Sequence, residues 1–179
     1  DDVSGASHFL EHLLFKGSQT RSAREIAESV EAVGGEMNAF TSQEQTVFYV
    51  RVPDEHLELG VDVLCDVLWR PAFRPYEVEC ERQVILEEIA MRDDTPDDLV
   101  HDVFSEAVFS PHVLGRAVIG SPETVQAMQS DQIAAYHDLH YRHRNVVVAA
   151  AGNLDPQRLT TLVEQHSAQR QGDRPRRDA

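Results

Sequence analysis

The sequence predicts an α+β fold, a two-layer sandwich in which helices cover one face of a mostly antiparallel sheet. Helical patterns outnumber strand patterns along the 179 residues, and the strands are segregated from most of the helices. Two of the three strand patterns are separated only by a short polar turn, which is typical of antiparallel pairing. Because three strands make a thin sheet and both ends of the sequence look cut, we expect a domain truncated at both ends.

The first third of the chain predicts two helices and a hairpin. Residues 7–16 are apolar on all faces and predict a short buried helix. Ser22 and Glu25 have the spacing of a capping box, which predicts the start of a second helix. Residues 36–40 and 46–52 predict two strands, because the second of them is rich in β-branched and aromatic residues.

The rest of the chain predicts further helices and one more strand. Apolar periodicity, prolines and capping signals place the helices at 54–69, 76–92, 96–109, 123–128, 131–140 and 156–169. The apolar run at 146–151 predicts a third strand of the buried type. In helix 76–92 the apolar residues are expected to form one buried stripe, made of Val78, Val84, Ile85 and Ile89.

The composition fits a single globular domain, since 41% of the residues are hydrophobic. We expect this domain to span residues 1–169 and to be followed by a disordered polar tail at 170–179. The chain carries 31 acidic and 16 basic side chains, a net charge of −15, which argues against nucleic-acid binding. No stretch approaches the roughly 18 apolar residues of a membrane span. Cys65 and Cys80 are expected to be buried thiols in a reducing compartment.

The most informative motif is His-x-x-Glu-His at residues 8–12. On a helix, His8 and His12 project from one face about a turn apart, so that two neutral nitrogens can reach one ion at about 2 Å. Glu11 lies next to His12, and its carboxylate can reach a water held at the same ion. This order of residues is the inverted form of the zinc-protease helix motif.

A hydrolytic zinc site needs a third protein ligand and an open position. Glu81 and Glu88 are seven positions apart in helix 76–92 and share a face, whereas Glu79 and Glu87 point elsewhere. One acid of the pair can bind the metal while the other orients a ligand histidine. The residues alone leave open which acid has which role.

Two simpler interpretations compete with a hydrolytic site. Two histidines can share a helix by coincidence. However, burying polar side chains that have no hydrogen-bonding partner costs folding free energy. A closed structural metal site would not need Glu11 and would favour Cys or His as further ligands.

The sequence resembles the pitrilysin (insulinase) family of zinc peptidases, most closely its mitochondrial-processing-peptidase type and the bacterial relatives of that type. The resemblance covers nearly the whole chain in the expected order. The matching segments are residues 8–18, 35–42, 81–89, 114–116 and 150–153.

The resemblance implies a role for each residue of the site. His8 and His12 would bind one zinc ion, and Glu11 would be the catalytic general base. The third zinc ligand of the family follows a Val-Ile-x-x-Glu context, which falls on Glu88. The acid that orients a ligand histidine falls on Glu81.

The resemblance also implies a function. The chain would be the metallopeptidase catalytic domain in the N-terminal half of a longer protein, a zinc-dependent endopeptidase or oligopeptidase. Its substrates would be peptides or unfolded polypeptides that dock as an added strand along Asn38, Ala39 and Phe40. We expect a second homologous domain or a partner subunit to complete the site, so that the isolated 179 residues hydrolyse peptides poorly.

The alternative within the family is a non-catalytic partner subunit of a processing-peptidase-type complex. It is disfavoured because non-catalytic members typically lack some of the four residues His8, Glu11, His12 and Glu88, all of which are present here. The expected compartment is the bacterial cytoplasm, with the mitochondrial matrix as the alternative.

Overall fold

The structure, a computed structural model, describes residues 3–167. Its helices and strands follow in the order α1 (Ala6–Leu14), α2 (Ala23–Glu31), β1 (Glu36–Thr41), β2 (Thr46–Arg51), α3 (Leu57–Trp69), α4 (Pro75–Asp93), α5 (Pro96–Phe109), α6 (Pro122–Ala127), α7 (Ser130–His140) and α8 (Pro156–Ser167). The α+β class is confirmed, because helices dominate and β1 and β2 form a two-stranded antiparallel sheet. No helix in the described range is long and apolar enough to cross a bilayer.

The described residues divide into two compact units. The first is built from residues 3–13, Ala39–Val47 and Phe73–Ile133. The second is built from Leu14–Asn38, Phe48–Ala72 and residues 134–167. The single domain expected over residues 1–169 stays a prediction, and the tail at 170–179 lies outside the described residues.

In the first unit, α4 packs against α5 and α6. Its core includes the side chains that are 1% exposed or less, namely Ala6, Phe9, Leu10, Val78, Ile85, Ile89, Val125, Met128 and Ile133. Burying a side chain of this kind contributes about 1.5–3 kcal/mol. The core residues come in part from α1 and α4, the two helices that carry the residues expected to bind the metal.

In the second unit, α3 packs against α2 on one side and against α8 on another. The capping box of α2 is confirmed: the Ser22 hydroxyl accepts a hydrogen bond from the Glu25 backbone, and the Glu25 carboxylate accepts one from the Ser22 backbone. The buried residues between α2 and α3 are Ile26, Val30, Val63 and Val67. Those between α3 and α8 are Val61, Cys65, Trp69 and Leu162.

A buried carboxylate anchors the second unit. The Asp66 side chain is fully buried on α3, and its Oδ2 accepts hydrogen bonds from Ser18 (2.5 Å), Thr20 (2.9 Å) and Arg21 (2.9 Å). Its Oδ1 accepts a bond from Arg70 at 2.7 Å. Burial alone would raise the pKa of Asp66, but these hydrogen bonds outweigh burial and hold the pKa below its ordinary value.

The third strand expected at residues 146–151 is wrong. Val146 has the extended backbone angles of a strand, but residues 146–151 pair with no other strand among residues 3–167. Val147 is 92% exposed. A strand forms only where a neighbouring strand completes its backbone hydrogen bonds. The β-branched residues at 146–151 favour an extended backbone, but they do not guarantee that such a neighbour exists.

Two expectations about burial are also wrong. Val84 is 40% exposed, because at about 100° per residue it lies about 120° around α4 from Val78 and so leaves the buried stripe. Cys65 is buried as expected, but Cys80 is partly exposed.

Candidate metal centre

Helix α1 presents its polar residues on one side and its core residues on the other. Phe9 and Leu10 are completely buried, whereas His8, Glu11 and His12 are partly exposed. Positions 8, 11 and 12 fall on one face of a helix, because three or four residues make about one turn. The apolar face therefore holds α1 in the core while the opposite face remains available for chemistry.

The start of α1 is set by a close backbone approach. Gly5 precedes the helix with a φ of +91°, which side-chain-bearing residues rarely adopt. A Cβ atom at Gly5 would lie 2.7 Å from the carbonyl oxygen of Ile119. Gly5 thus lets the chain pass against Ile119 and turn directly into α1.

Helix α4 carries the two acids that residue spacing alone could not rank. Glu81 and Glu88 lie two turns apart on the same face of α4. The Glu81 side chain is buried, while the Glu88 side chain is 38% exposed. Glu79 and Glu87 are exposed, in agreement with the expectation that they point elsewhere.

The three residues expected to bind the metal converge. Oε2 of Glu88 lies 3.8 Å from Nε2 of His8 and 3.5 Å from Nε2 of His12. One ligand atom from each residue lies within 4.8 Å of the other two. Among residues 3–167 this is the one group of three such side chains close enough to hold an ion.

The donor set and spacing fit zinc. Zn–N and Zn–O bonds of about 2.0–2.1 Å in a tetrahedron separate neighbouring ligand atoms by about 3.3 Å. The distances of 3.5 and 3.8 Å to Glu88 are only slightly longer. Two imidazoles and one carboxylate also match the protein ligands of catalytic zinc sites, which keep the fourth position open.

The surroundings of His8 favour its neutral form. Burial lowers the pKa of His8 below its ordinary value, and the nearby His12 lowers it further, although Glu88 and Glu11 act in the opposite direction. The lowered pKa favours the neutral imidazole, which is the form that a metal ligand requires. Within the described range neither of its ring nitrogens makes a hydrogen bond: Nδ1 is buried without a partner, and Nε2 is too far from Glu88. An ion at Nε2 would give this imidazole a partner.

His12 is oriented by Glu81. Nδ1 of His12 lies 3.1 Å from Oε2 of Glu81. Because a carboxylate only accepts hydrogen bonds, Nδ1 carries the proton and donates it. Nε2 is thereby left with its lone pair on the side where Glu88 lies. Glu88 faces Nε2 of both histidines, and Glu81 lies at the far nitrogen of His12. Their roles at a metal ion stay a prediction.

Glu11 has a partner that the sequence did not single out. Oγ1 of Thr41, at the end of β1, donates a hydrogen bond of 2.5 Å to Oε2 of Glu11. Thr41 was placed in the turn after the first strand, where nothing marked it as a partner of the site. The only signal in the sequence is its position directly after Phe40.

Arg82 is the second residue that sequence reasoning missed. Arg82 is buried, and its guanidinium donates a hydrogen bond to the carbonyl oxygen of Val125. It also forms an ion pair with Glu79 at 3.0 Å. Its guanidinium lies 5.5 Å from the centre of the Phe9 ring. Arg82 lies four positions after Val78 and therefore on the buried face of α4. This spacing could have indicated burial, but the charge of arginine suggests an exposed side chain.

The residues expected to bind substrate lie on β1. Asn38 and Phe40 are exposed and Ala39 is partly exposed. Phe40 is 48% exposed, which is high for a large apolar side chain. Their role in binding a peptide stays a prediction.

Comparisons with known proteins identify the family of this chain. Residues 1–122 match the family described as insulinase (peptidase family M16), and residues 127–178 match the peptidase M16 inactive domain. An uncharacterized zinc protease of Mycobacterium leprae is 49% identical over 168 residues, which is 94% of this chain and 38% of that protein. The uncharacterized zinc protease YmxG of Bacillus subtilis is 44% identical over 153 residues, 86% of this chain and 37% of that protein.

The fold is similar to that of solved peptidases. A protease from Helicobacter pylori superposes with a TM-score of 0.90 at 26% identity, over 99% of this chain and 43% of the other. This chain spans about two fifths of the length of the curated relatives it matches. The resemblance to the pitrilysin and insulinase family is confirmed. The chain belongs to the insulinase family of peptidases, peptidase family M16.

Proposed function

We propose that this chain carries the zinc-binding catalytic centre of an endopeptidase or oligopeptidase. His8, His12 and Glu88 would hold the ion, and Glu11 would be the general base. The proposal is carried by one observation: the Nε2 atoms of both histidines lie within 3.8 Å of the same carboxylate oxygen of Glu88. The names of the relatives as zinc proteases support the same class of chemistry.

A zinc ion at this site would act as a Lewis acid toward the peptide carbonyl and would lower the pKa of a water molecule. The protein residues do the rest. Glu11 accepts the proton of the attacking water and delivers it to the leaving amine. Glu81 keeps the His12 ring in one orientation and one tautomer. His8 stays neutral because its surroundings disfavour the charged form.

The substrate in this proposal is an extended peptide or an unfolded polypeptide. It adds as a strand along Asn38, Ala39 and Phe40, so that backbone hydrogen bonds provide affinity with little dependence on sequence. Phe40 offers an exposed aromatic surface to a side chain of the substrate. We place the complementary part of the site in a second homologous domain or a partner subunit. Cytoplasmic localisation stays a prediction.

The deciding experiment compares the full-length protein with its Glu11→Gln variant. Zinc content is measured by elemental analysis, and hydrolysis is followed with fluorogenic peptides and a denatured polypeptide. We expect both proteins to hold one zinc ion per site and only the wild type to hydrolyse. Glu87→Gln, an exposed acid on α4, is the matched control and should behave as wild type.

Two results would overturn the proposal. If Glu11→Gln hydrolysed peptides as fast as the wild type, Glu11 could not be the general base. A wild type that binds zinc but hydrolyses no substrate would instead support the non-catalytic partner subunit.

A further inference from the structure

We propose that Thr41 is a positioning residue that holds the Glu11 carboxylate in the orientation needed for proton transfer and couples it to strand β1. This inference rests on the proposed role of Glu11 as general base. It adds a residue from a different part of the chain, since Thr41 and Glu11 are 30 positions apart.

The geometry of the contact is specific. Oγ1 of Thr41 lies 2.5 Å from Oε2 of Glu11, and both side chains are partly buried. This is the one hydrogen bond made by the Glu11 carboxylate among residues 3–167. One oxygen of the carboxylate is therefore engaged, and Oε1 is left to take the proton from water. A free Glu side chain would sample several rotamers, whereas one fixed oxygen selects few of them.

The direction of the hydrogen bond follows from the available protons. Thr41 has a single hydroxyl proton, and the Thr46 hydroxyl lies 3.3 Å away. An ionised carboxylate only accepts, and hydrogen bonds to a charged acceptor are shorter and stronger than those between neutral groups. The Thr41 proton therefore goes to Glu11, and the Thr46 hydroxyl is free to donate to Thr41. Two strands thus support one orientation of the base.

The position of Thr41 in β1 gives this contact a second consequence. Thr41 ends β1 directly after Ala39 and Phe40, the residues proposed to pair with the peptide backbone. Side chains alternate along a strand, so that Ala39 and Thr41 share one face and Phe40 lies on the other. The strand that receives the peptide is therefore the strand that holds the base. A peptide docked on β1 is placed at a set distance from Glu11 by a single hydrogen bond.

The test uses the full-length protein. Its substitutions at Thr41 distinguish the effect of the hydroxyl group from the effect of the volume of the side chain. Thr41→Val removes the hydroxyl and keeps the volume, whereas Thr41→Ser keeps the hydroxyl. General-base catalysis contributes about 10²–10⁴-fold, and a misoriented base loses part of it, so we expect Thr41→Val to lower kcat about 10- to 100-fold. KM should change by less than about threefold, because peptide binding to the strand does not use this hydroxyl. Thr41→Ser should restore kcat to within about threefold of wild type.

Two controls separate positioning from folding. Ser42→Ala removes a hydroxyl one residue away that bonds to Gln45 and not to Glu11, and its activity should equal that of wild type. Zinc content, measured by elemental analysis, should be the same in all variants, since Thr41 contacts none of the proposed ligands. If Thr41→Val folds poorly by circular dichroism, Thr41→Ala removes the same hydroxyl and must show the same loss of kcat.

The inference fails if Thr41→Val or Thr41→Ala keeps wild-type kcat, or if Thr41→Ser loses as much as Thr41→Val. Failure of the proposed function has a different signature: either Glu11→Gln remains active, or the wild type itself hydrolyses no substrate. If Glu11→Gln is inactive and Thr41→Val is fully active, only the role of Thr41 is refuted.

Discussion

Nδ1 of His12 lies 3.1 Å from Oε2 of Glu81, although the two residues are 69 positions apart in the chain. Glu81 is buried and His12 is partly buried, so the carboxylate end of this hydrogen bond is shielded from water. The contact fixes which nitrogen of His12 carries the proton and therefore which nitrogen can meet a metal ion.

Removing this contact should weaken metal binding without abolishing it. We expect Glu81→Gln to lower zinc affinity about 10- to 100-fold, the usual loss when the partner of a ligand histidine is changed. The measurement is a competitive titration with a zinc chelator of known affinity. Glu87→Gln, on an exposed position of the same helix, serves as the control. Equal affinities for both variants would refute an orienting role for Glu81.

Replacing Glu88 should have a larger effect than replacing Glu81, because a ligand is lost rather than its support. At free zinc about 100-fold above Kd, metal binding contributes about 2.7 kcal/mol to stability. The wild-type protein should therefore unfold several degrees higher with zinc than after treatment with a chelator. Glu88→Ala should melt at the same temperature with and without zinc. A chelator-sensitive Tm in Glu88→Ala would place the third ligand elsewhere.

Asn38 should affect substrate binding more than chemistry. It lies at an exposed position of β1, and we expect its side chain to bond the backbone of the docked peptide. Asn38→Ala should raise KM several-fold with little change in kcat, the pattern of lost uniform binding. Steady-state kinetics with one fluorogenic peptide checks this. A fall in kcat at constant KM would contradict the assignment.

Asp66 should control the stability of the second unit. Its carboxylate is fully buried against two arginines and two hydroxyls. Breaking a buried charged pair costs about 3–5 kcal/mol, and the partial exposure of both arginines favours the lower end. We expect Asp66→Asn to lower the free energy of unfolding by about 3 kcal/mol at pH 7. Urea denaturation measures it, and Asp62→Asn, on a more exposed position, should lose less.

The effect of Asp66 should also depend on pH with a definite sign. Because its folded pKa is lowered, its contribution is complete above the unfolded pKa of about 3.9 and is lost as pH falls through the folded pKa. The difference in unfolding free energy between wild type and Asp66→Asn should therefore narrow from pH 7 to pH 3. A difference that widens on acidification would contradict the lowered pKa.

The two cysteines should differ in reactivity. Burial raises the pKa of the Cys65 thiol to about 12, so very little thiolate exists at pH 8. Cys80 is partly exposed. Iodoacetamide should alkylate Cys80 first in the native protein and both residues in denaturant, as read by peptide mass spectrometry. Faster labelling of Cys65 would show that α3 opens readily.

Local signals predicted the helices well. Ser22 and Glu25 carry a capping box whose geometry is complete within four residues, so no distant contact can override it easily. Pro96 likewise marks the first residue of α5. The strand expected at 146–151 failed because a strand depends on a partner that the local sequence cannot name.

The sequence predicted which residues belong to the candidate site better than it predicted how they are arranged in space. The spacing of His8 and His12 determines a shared helix face, and that face survives in the structure. Residue spacing alone could not rank Glu81 and Glu88, because their distances from the histidines depend on how α4 meets α1, where the Arg82 guanidinium lies over the Phe9 ring. Thr41 escaped prediction because a hydroxyl at a strand end has many ordinary uses.

The separation of α1 from α4 along the chain has a consequence for biosynthesis. A ribosome makes about 5–20 residues per second, so the histidine pair leaves the tunnel several seconds before its carboxylates do. During that interval the hairpin and α3 emerge and can begin to pack. In the proposed site an ion can meet all three ligands only after α4 has emerged, so we expect complete coordination to be a late step of maturation.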